Sequence, residues 1–155
     1  MMKILEAFGE PISYGGQESF VLNMLSEMDR DQMQIDLLTP YYCDSNYAHT
    51  VADELGIGLH ALGCSFAPGS LRSGERGRLR QFLCSHSYDV IHIHSGSNLM
   101  LALYAEEAHR AGIKKILLPK GNEPDIDDIP QAVRKHLTFV LLDNVNQALE
   151  EALVK

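Results

Sequence analysis

Tyr88-Asp89-Val90-Ile91-His92-Ile93-His94 reads as a strong strand, Val90-Ile91-His92-Ile93 introduced by Asp89. A strand within a parallel sheet needs a crossover on each side. Both flanks supply one. Before it lies a basic helical pattern from about residue 70 to 85. After it, residues 98 to 110 form a helix with an apolar start, and Gly112 stands just past the end, where a left-handed cap is wanted.

Outward from there the alternation repeats. Lys3 to Phe8 reads as a buried strand, residues 9 to 16 as a Gly/Pro loop, and Glu18 to Met28 as a helix with Phe20, Val21, Met24, Leu25 and Met28 on one stripe. Met33 to Leu38 is a strand closed by Thr39-Pro40, Ala48 to Leu55 a helix ended by Gly56, and Leu59 to Leu62 a brief strand. Ile116 to Leu118 is the next strand, Ile126 to His136 a helix, Phe139 to Leu142 a strand and Val145 to Val154 the last helix. Six βα units predict an α/β fold, a three-layer α/β/α domain with a Rossmann-like parallel sheet in the order 3-2-1-4-5-6. That order opens a crevice beyond the carboxyl ends of the first and fourth strands.

Composition narrows the function classes. The net charge of −8 repels phosphate backbones, and the one dense basic run, Arg72, Arg76, Arg78 and Arg80, reads as a solvated helix face, so nucleic acid is not an expected partner. No stretch approaches the roughly 18 apolar residues of a membrane span, and no leader pattern precedes the first strand; the expected setting is cytoplasmic. Cys43, Cys64 and Cys84 are far apart, without CxxC spacing, and read as reduced structural thiols.

Two places in the chain invite chemistry. Gly15-Gly16-Gln17-Glu18 puts two glycines at the mouth of a helix, where backbone amides and the helix dipole favour an anion. The spacing is neither GxGxxG nor a P-loop, and the competing reading is a tight turn with close helix packing. His92 and His94 alternate by two and share a face of their strand. No carboxylate or cysteine stands at ligand spacing, so no metal is expected, and no cofactor. His94 and Ser95 sit at the carboxyl end of the fourth strand, beside the predicted crevice. The candidate ligand site is therefore Gly15, Gly16, Gln17, His94 and Ser95, with weak binding of phosphate, a nucleotide or a nucleotide-sugar expected there. No catalytic residue is assigned: Ser97 is placed to cap the next helix, and Asp125, Asp127 and Asp128 read as the first turn of a helix, without the glycine and glutamate of a calcium loop.

With these residues in view, two resemblances emerge. Residues 1 to about 113 resemble the start of a family 4 glycosyltransferase of the two-domain GT-B type, on Lys3-Ile4-Leu5, the segment Gly15 to Leu25 and Tyr88 to His94. Residues from about 108 to 155 resemble the end of a Lon protease domain, on Ala108 to Glu123, Asp127-Asp128-Ile129-Pro130, Phe139 and the closing helix. The Lon resemblance implies a serine–lysine dyad, but the lysine position falls on Ala102, with Leu99 and Met100 in place of glycines, and no Gly-Pro-Ser-Ala-Gly segment exists. The glycosyltransferase resemblance implies a second, sugar-nucleotide-holding domain that this chain does not contain. Together they imply one α/β domain over 1–155, made of a 1–113 and a 114–155 piece joined within 108–115: an engineered chimera with no evolved activity, and not an enzyme. The alternative they imply is a glycosyltransferase fragment with residual affinity for nucleotide-sugar, phosphate or glycan.

Overall fold

The computed structural model describes all residues except 14, 66–70, 73, 96, 145, 146, 149 and 152–155, and gives the backbone alone at 16 and 17. Six strands, β1 (Met2–Phe8), β2 (Met33–Thr39), β3 (Gly58–Ala61), β4 (Val90–His94), β5 (Lys115–Pro119) and β6 (Thr138–Leu142), form one parallel sheet in the order β3-β2-β1-β4-β5-β6. This is the order the alternating pattern predicts, because right-handed crossovers leave few other arrangements.

Period-two alternation distributes the sheet's side chains between two layers. Leu5, Ala7, Ile91, Ile93, Ile116 and Leu118 face α3 (Arg76–Ser85) and α4 (Asn98–Arg110). Ile4, Phe8, Ile35, Leu37, Val90 and Leu117 face α1 (Gly16–Ser26) and α2 (Asn46–Leu55). Each layer is a continuous apolar cluster. Glu6, His92 and His94 have the parity of the second.

Local chemistry sets the element ends. Ser97 caps α4 by accepting from the Met100 amide at 3.3 Å, and Ser45 caps α2 by accepting from Ala48 at 3.0 Å. Gly56 (φ 68°) and Gly112 (φ 82°) adopt the left-handed conformation after α2 and α4. Asp89 ties the start of β4 to β1: its carboxylate accepts from the Lys3 amide at 2.8 Å.

Three readings need correction. The helix expected over Ile126 to His136 is instead a 3-10 segment, Lys120–Asp128, and a single turn, α5 (Gln131–Arg134). Pro130 separates them, because it disfavours a helical conformation in the residue before it. Asp125, Asp127 and Asp128 consequently lie at the end of the 3-10 segment. They bond Asn122, Arg134 and Asn98 respectively, at 3.0, 3.0 and 2.9 Å.

The third correction concerns the basic run. α3 begins only at Arg76, and its arginines are structural ties more than a solvated face. Arg76 Nε and Arg80 Nε each donate to the fully buried Glu107 of α4 at 2.9 Å, and Arg76 also pairs with Glu106. Arg78 donates to the carbonyls of Leu62 and Gly63. The expected last helix lies partly outside the described residues; 147, 148, 150 and 151 are helical.

Candidate functional site

The crevice beyond β1 and β4 is built by close backbone approach. The Gly9 amide donates to the His94 carbonyl at 2.9 Å. A Cβ added at Gly9 would lie 2.2 Å from Ser95 Oγ and 2.5 Å from its Cβ, so glycine is required for the two strand ends to meet. Tyr104, from α4, anchors the same corner by donating to the Phe8 carbonyl at 2.5 Å.

Parallel register then does what the sequence order hides. Glu6 stands opposite His92 and Phe8 opposite His94. All three polar side chains project into the α1-facing layer and are almost wholly buried. Glu6 Oε2 lies 2.6 Å from His94 Nε2 and 3.0 Å from His92 Nδ1. The first contact is a hydrogen bond; the second lacks the geometry of one, and His92 Nδ1 has no hydrogen-bond partner among the described residues. The two imidazole rings lie 4.0 Å apart. Burial alone would raise the Glu6 carboxyl, but the two imidazoles outweigh it and hold the pKa at about 2. Burial, then the charge of His92, push His94 below its ordinary value against the pull of Glu6.

A cavity of about 330 Å³ opens beside this cluster. Phe20 and Met24 of α1, His92, His94, Leu142 and Ala148 contribute to its mainly apolar wall. Among the described side chains, His94 is thus the predicted site residue that reaches it. Ser95 turns the other way: its Oγ accepts from the Ser97 amide at 3.1 Å and packs on Gly9, opening the turn into α4. Gly15 is the N-cap of α1, with extended backbone (φ 176°) and no side-chain cap, and a Cβ added there would meet nothing within 4 Å. Neither a tight turn nor close packing therefore requires Gly15. Gly16 opens α1, and Gln17 follows in its first turn.

Glu6 is the functional candidate that sequence reasoning missed. Metal binding was discounted for want of a carboxylate at ligand spacing, yet β1 supplies one 86 positions before His92. The legible signal was a lone carboxylate inside the apolar run Ile4-Leu5-Glu6-Ala7-Phe8.

Similarity to known proteins is found in the C-terminal third. The Lon protease (S16) C-terminal proteolytic domain matches residues 103–155. Lon protease of Bacillus thuringiensis (strain Al Hakam) is 57% identical over 47 residues, covering 30% of this chain and 6% of that protein. Lon protease 1 of Bacillus subtilis (strain 168) is 55% identical over 47 residues, and Lon protease of Methanosarcina barkeri (strain Fusaro) 54% over 46, each covering 30% of this chain. The chain spans 6% of the length of these relatives.

These matches overturn the expectation of an engineered chimera without evolved activity. They point to a protease origin for residues 103–155, and none of them supports a glycosyltransferase segment or the GT-B class expected with it. The match begins at Leu103, within the buried stretch of α4. β5 pairs β4 in unbroken parallel register, with Ile91 opposite Ile116 and His92 opposite Leu117. The glycosyltransferase-like motifs have a sufficient account in this packing: two histidines gathered at Glu6, with His94 hydrogen-bonded to it, and a helix mouth at the end of the β1 loop. Among the described residues, no helix is long and apolar enough to cross a membrane.

Proposed function

We propose that residues 1–155 act as one ligand-binding α/β domain taking a phosphate-bearing small molecule (phosphate, a nucleotide or a nucleotide-sugar) weakly in the crevice beyond β1 and β4. The observation that carries this is the vacant space over Gly15 at the uncapped N-terminus of α1. Backbone amides there offer the donors an anion needs. Glu18, the acid of that first turn, accepts from the Ser45 hydroxyl through Oε1, and its Oε2 has no hydrogen-bond partner among the described residues. Phe20 and Met24, one and two turns further along α1, offer apolar surface in the adjoining cavity for a base. Titration with phosphate, ATP and UDP-glucose is expected to move the amide resonances of Gly15, Gly16, Gln17, His94 and Ser95 at millimolar ligand. Unmoved resonances at all five sink the reading.

A second reading, peptide hydrolysis, is favoured by the similarity of residues 103–155 to proteins named Lon protease. Turnover of casein by the purified chain supports it; no cleavage over a day at high protein concentration counts against it.

A further inference from the structure

We propose that Glu6, His92 and His94 form a binding site for one divalent transition-metal ion, with zinc the best-matched, and that its open coordination position faces the 330 Å³ cavity. Two imidazole nitrogens and one carboxylate oxygen, each from a different side chain, converge within 4.8 Å of one another. Two nitrogens and an oxygen are the donors zinc takes in its hydrolytic sites, where three protein ligands leave the fourth position free.

Protons alone serve this cluster poorly. Both imidazoles approach the same atom, Glu6 Oε2, and only His94 makes a hydrogen bond to it. His92 Nδ1 is buried beside the carboxylate with no hydrogen bond among the described residues. A buried nitrogen without a partner keeps the cost of its lost hydration unrecovered. A cation between the three atoms would engage all of them at once. Tetrahedral zinc, with bonds near 2.1 Å, sets its donors about 3.4 Å apart. The observed separations from Oε2 are 2.6 and 3.0 Å, so the two nitrogens would move away from it by about 0.8 and 0.4 Å to reach that spacing.

The cavity suits an open site. His92 and His94 both border it, and the walls from Phe20, Met24, Leu142 and Ala148 offer no competing ligand. Asp143 also borders it but pairs with Lys120 at 3.2 Å. Another histidine pair, His109 and His136, stacks at 5.1 Å on the opposite side of the molecule's core, in the layer of α4 and α5, and is not part of this cluster.

The site needs no organic ligand, so it stands or falls independently of the phosphate reading. The experiment uses the full chain, stripped with chelator and titrated with zinc chloride by calorimetry, with cobalt(II) followed by visible absorption. The expected result is one ion per chain at micromolar affinity or tighter, the intense visible bands of four-coordinate cobalt, and zinc-induced shifts of the His92 and His94 ring resonances. Glu6→Gln and His92→Gln should each weaken zinc at least tenfold, and His109→Ala should leave it unchanged. The ring shifts are read on the unmodified chain, so they decide the matter even if a variant misfolds. Absence of binding at millimolar zinc, or binding that leaves both rings unmoved, overturns the proposal.

Discussion

Glu6 Oε2 and His94 Nε2 lie 2.6 Å apart although 88 positions separate them in the chain. Strands β1 and β4 are adjacent only because the sheet reverses its order between them, which is also where such sheets bind ligands. The same reversal therefore builds a crevice and brings a carboxylate and two imidazoles together beside it.

Removing the carboxylate leaves His94 buried without its hydrogen-bond partner and His92 without the neighbouring charge. Glu6→Leu is expected to lower the unfolding free energy by about 2 kcal/mol, read from urea denaturation at neutral pH. A variant as stable as the parent would mean that the cluster contributes nothing to folding.

Glu107 is another buried carboxylate, and its environment dictates a pH dependence. Burial acts to raise its pKa, but hydrogen bonds from Arg80 and Arg76 outweigh this and hold it below the ordinary value. A depressed carboxyl stabilises the fold fully above its unfolded pKa of about 4.3 and loses that contribution as pH falls toward the folded value. Glu107→Gln should therefore cost about 2 kcal/mol at pH 7, less than breaking a fully buried pair because both arginines are partly exposed. The gap between variant and parent should stay flat down to about pH 5 and shrink below the unfolded pKa. A gap that widens on acidification contradicts the assignment.

The glycines on the two sides of the crevice should behave oppositely. Gly9→Ala forces a methyl against Ser95 and should destabilise by roughly 1–3 kcal/mol. Gly15→Ala meets no neighbour and should change stability by no more than about 0.5 kcal/mol. Thermal melts of the two variants side by side check this.

Ser97 starts the helix in which the Lon-like match begins. Ser97→Ala removes the acceptor for the Met100 amide and should cost about 1 kcal/mol. If residues 1–155 are one cooperative unit, calorimetry of the parent shows a single transition with equal calorimetric and van't Hoff enthalpies. Two resolved transitions would place a boundary within the sheet.

The sequence alone determined the alternation of strands and helices, the six-strand order, the glycine and serine caps, and the shared face of His92 and His94. These follow from local periodicity and the handedness of crossovers, which act over one or two elements. It misplaced the helix around Pro130 because apolar spacing outweighed a proline's constraint in the reading, and it put α3 a turn and more too early. Only the tertiary structure decided that Glu6 joins the histidines, that Arg76 and Arg80 converge on Glu107, and that Ser95 faces Gly9 instead of the cavity. Those pairings depend on which strands and helices become neighbours and in what register, a non-local outcome that no spacing within one segment records.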